Sequence, residues 1–202
     1  MKNVKVAVVQ ATPVIFNIAS TINKSIELIS TASKQGAELV VFPESFIPGY
    51  PRGMTFGAVV GKREESGRHL YQRYWENSIE EQDTYFQALA EASRNSGIYL
   101  AMGATERDKH NGSLYCSYFY FAPDGTYLGK HRKIKPTGTE RIVWAEGSGD
   151  TLTVIDSAIG KFAGLICWEN YMPLARYALY RKGVEIYLAP TADARDSWQS
   201  TL

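Results

Sequence analysis

The sequence is poor in the residues that build disulfide frameworks and metal centres. It contains two cysteines, and its three histidines (His69, His110 and His131) lie far apart without the spacing of metal ligands. We therefore expect neither a disulfide scaffold nor a bound metal ion. Two cysteines without framework spacing are also typical of a reducing compartment, which predicts a cytoplasmic location.

Long hydrophobic runs and an excess of charge of either sign are also absent. No apolar run approaches the ~20 residues that span a bilayer, and the apolar segment 4–9 is too short for a signal peptide. The formal net charge is +1, which indicates no membrane or nucleic-acid partner. The basic cluster 130–133 has no interleaved aromatics for base stacking. For Lys130 and Arg132 we favour a solvated strand end.

Two common catalytic or cofactor motifs are missing as well. No serine stands in a Gly-x-Ser-x-Gly setting, and the Gly-Ser-Gly at 147–149 precedes a predicted strand rather than a helix. The sequence therefore predicts no dinucleotide site, and we expect no organic cofactor.

The patterning present predicts a single α/β domain over residues 1–202. An apolar strand at 4–9, a helix capped by Asn17 and a strand at 39–42 form a βαβ opening. Residues 43–66 are predicted to form a Pro- and Gly-rich loop. The remaining predicted elements are a helix at 67–78, a helix between Asp83 and Gly97, strands at 99–105, 113–121, 127–133, 152–155, 161–166 and 184–188, and a helix at 172–181.

Four chemically suggestive side chains stand at or after the ends of predicted strands. Cys167 follows an apolar strand and precedes a helix, so we expect it to be presented to solvent with its thiolate favoured by helical N–H groups. Glu44, Lys133 and Glu140 would supply a base, a cation and a second carboxylate, which a thiol nucleophile requires. A buried structural cysteine is the alternative for Cys167. We assign a packing role to Cys116, which shares one face of an alternating strand with Leu114 and Tyr118.

Three segments around these residues resemble the signatures of the carbon–nitrogen hydrolase superfamily. They are Val41-Phe42-Pro43-Glu44, Gly129 to Lys133 with Pro136-Thr137 and Glu140-Arg141, and Cys167-Trp168-Glu169-Asn170. The Trp-Glu-Asn after the cysteine is similar to the nitrilase branch. The resemblance runs from Val4 to the last residue, and family members continue beyond that point, so we expect a chain truncated at its C-terminus.

This resemblance implies a four-layer α-β-β-α sandwich whose last part is absent from this chain. Glu44 would be the general base, and Lys133 would stabilise the tetrahedral intermediate. Glu140 would support proton transfer, and Cys167 would attack a nitrile to give a thioimidate and then a thioester. The N–H of Trp168 would be a second donor to the developing anion.

Several readings stay open beside this one. Tyr50, Trp168, Pro190 and Thr191 are candidates to bind a small nitrile or amide substrate. An amidase, a cyanide hydratase or a non-catalytic homologue acting only in assembly are the alternatives to a nitrilase. Glu169 could cap the following helix or contact Lys133. Relatives assemble through the helix after the cysteine, so residues 172–181 are the candidate interface of a homo-oligomer.

Overall fold

The computed structural model describes residues 3–200 and shows nine strands, five helices and three short 3₁₀ turns. The strands are β1 (Val6–Val8), β2 (Leu39–Val41), β3 (Ala58–Val59), β4 (Lys62–Arg63), β5 (Tyr99–Arg107), β6 (Leu114–Phe121), β7 (Tyr127–Arg132), β8 (Phe162–Gly164) and β9 (Ile186–Leu188). The helices are α1 (Ile18–Lys34), α2 (Glu65–Glu76), α3 (Thr84–Ser96), α4 (Pro173–Arg181) and α5 (Asp196–Gln199). The turns are Gly138–Ile142, Gly149–Thr151 and Cys167–Tyr171.

Five strands form the larger sheet, in the order β1-β2-β5-β6-β7. The first three strands run parallel to one another, and β5, β6 and β7 continue as antiparallel neighbours. The parallel pair of β1 and β2 with α1 between them in the chain confirms the βαβ opening. Strands β8 and β9 pair in parallel in a separate small sheet.

Three buried clusters arrange these elements in four layers. One cluster lies between the helices α1 and α3 and one face of the larger sheet, and a second joins the other face of that sheet to β8 and β9. A third cluster packs α4 against the outer side of the small sheet, through residues such as Ala163 and Leu179. The order helix, sheet, sheet, helix confirms the predicted α-β-β-α sandwich.

The two capped helices begin where the sequence predicts. The Asn17 side chain accepts a hydrogen bond from the N–H of Ser20, and Asp83 accepts one from the N–H of Phe86. Gly97 ends α3 with a φ of 65°, a left-handed conformation that favours glycine. The two predicted N-caps and the predicted helix end at Gly97 are confirmed. Each depends only on contacts with the backbone of its own helix.

Three predictions about local structure are wrong. Residues 152–155 form no strand, and only Ile155 makes an isolated bridge, to Phe162. The loop 43–66 contains the short hairpin of β3 and β4. Lys130 and Arg132 are not a solvated strand end, because both bind the buried carboxylate of Glu106.

No helix among residues 3–200 combines the length and the apolar character needed to cross a bilayer.

The close approach of β5 to the segment after β2 places the Glu44 backbone. A Cβ built on Gly103 would lie 1.9 Å from the carbonyl oxygen of Pro43 and 3.1 Å from the Cα of Glu44. Only glycine fits at this point, because the obstructing atoms belong to the backbone. The strand β5 therefore supports the chain that carries Glu44.

We predict that Gly103→Ala destabilises the fold by at least about 1–3 kcal/mol, the usual cost of overpacking. The added methyl group must push the Pro43–Glu44 backbone away from β5. Denaturant unfolding measures this loss, with Gly149→Ala as a comparison, since a Cβ at Gly149 meets no atom of the described residues within 4 Å and its backbone is not left-handed. A Gly103→Ala chain that is no less stable than Gly149→Ala would contradict the prediction.

Candidate active site

A buried lysine joins two glutamates at the centre of the site. The Nζ of Lys133 donates to Glu44 Oε1 at 2.6 Å and to Glu140 Oε2 at 2.7 Å, and the side chains of Lys133 and Glu44 are fully buried. Lys133 directly follows β7, and Glu44 lies three residues beyond β2. The sequence predicted this set of charged groups, and the structure brings the three together.

Glu140 is held by donors on both of its oxygens. It lies in the 3₁₀ turn Gly138–Ile142, where the N–H of Thr137 donates to Oε2 at 2.6 Å. The hydroxyl of Tyr50 donates to Oε1 at 2.7 Å. Tyr50, predicted to bind substrate, thus contacts a catalytic candidate directly. Its ring also packs edge-on against Trp144, at 5.6 Å between centroids.

The surroundings of Glu44 raise the proton affinity of its carboxylate. Burial raises the pKa of Glu44, an effect that Lys133 opposes and Glu140 reinforces. Burial is the largest single effect on Lys133 and lowers its pKa, but the neighbouring acidic groups, Glu44 first, together outweigh it and hold that pKa above its ordinary value. Two carboxylates share one ammonium, so Glu44 binds a proton more readily than an exposed glutamate and suits the role of general base.

Cys167 opens the 3₁₀ turn Cys167–Tyr171 with a φ of 52°, directly after the strand segment. It is 5% exposed, so the expectation that it is presented to solvent is wrong. Its own N–H donates to the carbonyl of Pro190 at 2.9 Å. Burial, followed by the charge of Glu44, raises the pKa of the Cys167 thiol to about 12. The predicted thiolate is therefore not favoured at rest, and a base must take the proton.

The loop 190–192 contacts the site through each of its residues. The Pro190 carbonyl accepts from Cys167, the Thr191 hydroxyl lies 3.1 Å from the Cys167 Sγ, and the Ala192 N–H donates to Glu44 Oε2 at 3.1 Å. Pro190 and Thr191 were predicted to bind substrate, whereas sequence reasoning missed Ala192. No sequence signal could identify Ala192, because its contact uses only the backbone.

Glu169 links the strand of the lysine to the turn of the cysteine. Its Oε1 accepts from the N–H of Ile134 and its Oε2 from the N–H of Ile166, both at 2.7 Å. The Nε2 of His131 lies 2.9 Å from the same Oε2. Glu169 therefore caps its own turn and binds the residue after Lys133 rather than Lys133 itself. The predicted cap of the following helix is wrong, because no side chain in the described part of the chain caps α4. Sequence reasoning missed His131 as its partner.

The second cysteine lies behind the carboxylate cluster. Cys116 is buried in the core, as predicted, and its Sγ is 3.8 Å from Glu44 Oε1. Burial, followed by the charge of Glu44, raises the pKa of this thiol well above its usual value. Cys116 is thus a packing residue that also contacts the candidate base.

A cavity of about 560 Å³ opens onto these groups. Glu44, Glu140 and Cys167 line it, together with Tyr50 and the half-exposed Trp168. Pro190 and Thr191 line the adjoining groove instead. Among residues 3–200, no three His, Cys, Asp or Glu side chains are arranged to hold a metal ion. Cys167 and Glu44 thus place a protonated thiol and a base of raised proton affinity on the wall of one cavity. The Lys133 ammonium is bound to that base.

Comparison with known proteins gives a family match over nearly the whole chain. The model of the carbon–nitrogen hydrolase family matches residues 5–201. The chain is 46% identical over 199 residues to a bifunctional nitrilase/nitrile hydratase of Nicotiana tabacum, covering 98% of this chain and 57% of that protein. It is also 46% identical over 202 residues to an aliphatic nitrilase of Sinorhizobium fredii, covering all of this chain and 65% of that protein. The chain thus spans less than two thirds of these relatives.

Solved structures share the fold at lower sequence identity. A Saccharomyces cerevisiae member of branch 10 of the nitrilase superfamily superposes with a TM-score of 0.78 at 24% identity, covering 98% of this chain and 68% of that one. An amidase from Nesterenkonia sp. gives a TM-score of 0.74 at 20% identity, with the same coverage. At these identities the likeness establishes the fold alone.

We predict that alkylation of Cys167 by iodoacetamide accelerates about tenfold per pH unit from about pH 7 to about pH 10, without levelling. The reason is that the thiolate fraction keeps rising when the thiol pKa is about 12. Mass spectrometry of the labelled peptide measures the rate, and Cys167→Ala gives the background. Glu44→Gln removes a charge that raises this pKa, so its profile should level at a lower pH. A wild-type profile that levels at about pH 8.5, the value of an ordinary thiol, would contradict the account.

Proposed function

Because the chain belongs to the carbon–nitrogen hydrolase family, we propose that it is a thiol hydrolase of non-peptide carbon–nitrogen bonds. The observation that carries this proposal is the buried Lys133 ammonium, which binds Glu44 and Glu140, two carboxylates that line the same cavity as Cys167. We propose the roles of nucleophile for Cys167, general base for Glu44, anion stabilisation for Lys133 and support of proton transfer for Glu140. No metal or organic cofactor takes part in this chemistry.

The proposed reaction converts a nitrile and water to a carboxylic acid and ammonia. Glu44 takes the thiol proton as the Cys167 sulfur bonds to the nitrile carbon, and the nitrile nitrogen receives that proton to give a thioimidate. Water then adds with Glu44 as base, and ammonia leaves with a proton returned from Glu44. A second water hydrolyses the resulting thioester, which releases the acid and restores the thiol.

Donors near the developing charge are the main source of the rate. Lys133 stabilises the tetrahedral adduct, and the Trp168 N–H, next to Cys167 in its turn, is proposed as a second donor. Removing one such donor costs about 3–4 kcal/mol of barrier in related acyl-transfer sites. Tyr50, Trp168, Pro190 and Thr191 are proposed to contact the substrate, and Thr191 is supported by its contact with the Cys167 sulfur.

Two alternatives differ in product or in substrate. The tetrahedral adduct releases an amide instead of an acid when it expels the thiol rather than ammonia, and the name of the tobacco relative includes both outcomes. An amidase would use the same groups on an amide substrate. A non-catalytic role in assembly is the alternative from a different class, because the chain spans only part of its curated relatives.

We further propose that α4 forms the interface of a homo-oligomer. Leu174 is 83% exposed and Tyr177 is 58% exposed on this helix, an apolar surface that a second copy would cover. Sedimentation of the purified chain tests this, and a monodisperse monomer contradicts it.

The proposed setting is the cytoplasm, which the two free thiols support.

The test of function is ammonia release by the purified chain from aliphatic, aromatic and arylaliphatic nitriles, with their matched amides. We expect release from nitriles, no release by Cys167→Ala, and no useful turnover by Lys133→Ala because the adduct loses its cation. Circular dichroism establishes that each variant is folded. Release from amides alone would move the assignment to an amidase. A folded chain that releases no ammonia from any substrate, or a Lys133→Ala chain that keeps most activity, would contradict the proposal.

A further inference from the structure

Two arginines stand at the rim of the catalytic cavity, and they differ in how their charge is balanced. Arg195 binds Asp193 through Nε, at 2.9 and 3.1 Å to the two carboxylate oxygens, and also through Nη2. Arg52 is exposed, and no carboxylate among residues 3–200 forms an ion pair with it. The guanidinium of Arg52 is thus an uncompensated positive charge at the rim.

Contacts with the site keep this guanidinium in place. Its Nη2 donates to the carbonyl of Ala192 at 2.7 Å, and its Cζ lies 5.8 Å from the ring centroid of Tyr50. Ala192 binds Glu44 through its N–H, and Tyr50 binds Glu140 through its hydroxyl. Arg52 is therefore attached to two residues that themselves hold the catalytic carboxylates.

Most donors of Arg52 remain available for a ligand. The contact with Ala192 is the single hydrogen bond that the Arg52 side chain makes within the described residues, and a guanidinium has five N–H groups in a planar fork that matches a carboxylate. Lys133 cannot attract such an anion, because its charge is already shared by two carboxylates. Arg52 is therefore the one cation among the described residues that line this cavity that no carboxylate pairs, which suits a monoanionic ligand group.

Part of the wall of the cavity that Arg52 and Cys167 both line is apolar. Met54, Phe56, Ile142 and Val143 line the cavity together with Cys167. A ligand that fills the space needs an apolar chain between a group that reacts with the thiol and a group that binds the guanidinium.

We propose that Arg52 forms a carboxylate subsite, and that the substrates are nitriles bearing a carboxylate at the end remote from the nitrile. This inference rests on the proposed function for the identity of the reacting group. The carboxylate accepts two hydrogen bonds from the Arg52 fork, while the apolar chain lies along the wall and the nitrile carbon reaches the Cys167 sulfur. A bidentate, charge-assisted pair of this kind gives both affinity and orientation.

The competing role for Arg52 is structural, since its bond to Ala192 braces the loop that holds Glu44. Two substitutions separate these roles. Arg52→Gln keeps an N–H donor for the Ala192 carbonyl and removes the charge, whereas Arg52→Lys keeps the charge and loses the planar fork. Loss of a purely structural contact would lower kcat/KM for charged and neutral substrates alike. Loss of a carboxylate subsite would lower kcat/KM selectively for the charged substrate.

The kinetic experiment compares 4-cyanobutanoate with its methyl ester and measures the ratio of their kcat/KM values. We expect this ratio to fall about tenfold to a hundredfold in Arg52→Gln, the usual effect of losing a hydrogen bond to a charged group. Arg52→Lys should lose less, and Arg68→Gln, an exposed arginine of α2, should leave the ratio unchanged. An Arg52→Gln chain with the wild-type ratio would overturn the proposal.

A binding experiment separates failure of the subsite from failure of the proposed function. Calorimetry with the Cys167→Ala chain measures binding of ω-cyano acids from 3-cyanopropanoate to 6-cyanohexanoate without turnover. We expect at least one acid to bind about tenfold or more tightly than its methyl ester, and Arg52→Gln to abolish the difference. Selective binding without turnover by the wild-type chain would support the subsite and contradict the nitrilase. Hydrolysis of neutral nitriles with no acid preferred over its ester would overturn the subsite alone.

Discussion

The structure of the site depends on one interaction, the burial of the Lys133 ammonium between the carboxylates of Glu44 and Glu140. Each charge would be costly to bury alone, and their mutual hydrogen bonds offset that cost. The lysine follows a strand of the larger sheet, while the two glutamates come from a loop and a 3₁₀ turn. The ion cluster therefore joins three separate segments around one cavity.

The same cluster explains why the nucleophile stays protonated at rest. The positive charge of Lys133 is committed to two carboxylates, so it does not compensate a thiolate fully. Burial and the charge of Glu44 raise the pKa of Cys167, and burial also raises that of Glu44. The account therefore has the proton pass from thiol to base as the sulfur bonds to substrate, which limits side reactions of a free thiolate.

Sequence reasoning succeeded where the signal is local or follows strand ends. The caps at Asn17 and Asp83 are satisfied within their own helices, and the ends of the strands bring Glu44 and Lys133 together. It failed for residues 152–155, whose alternation is typical of a strand but which form only an isolated bridge. It also missed Ala192 and the charge balance of Arg52, because backbone contacts and unpaired charges depend on segments far apart in the chain.

The most direct test of the central ion cluster is the free energy of unfolding of Lys133→Met, alone and combined with Glu44→Gln. The methionine side chain is similar in length to that of lysine but carries no charge, so the substitution leaves two buried carboxylates without a compensating cation. The account predicts that Lys133→Met loses about 3–5 kcal/mol and that adding Glu44→Gln restores part of this loss, because one buried charge is then removed. A Lys133→Met chain as stable as the wild type, or a double variant less stable than Lys133→Met alone, would contradict it.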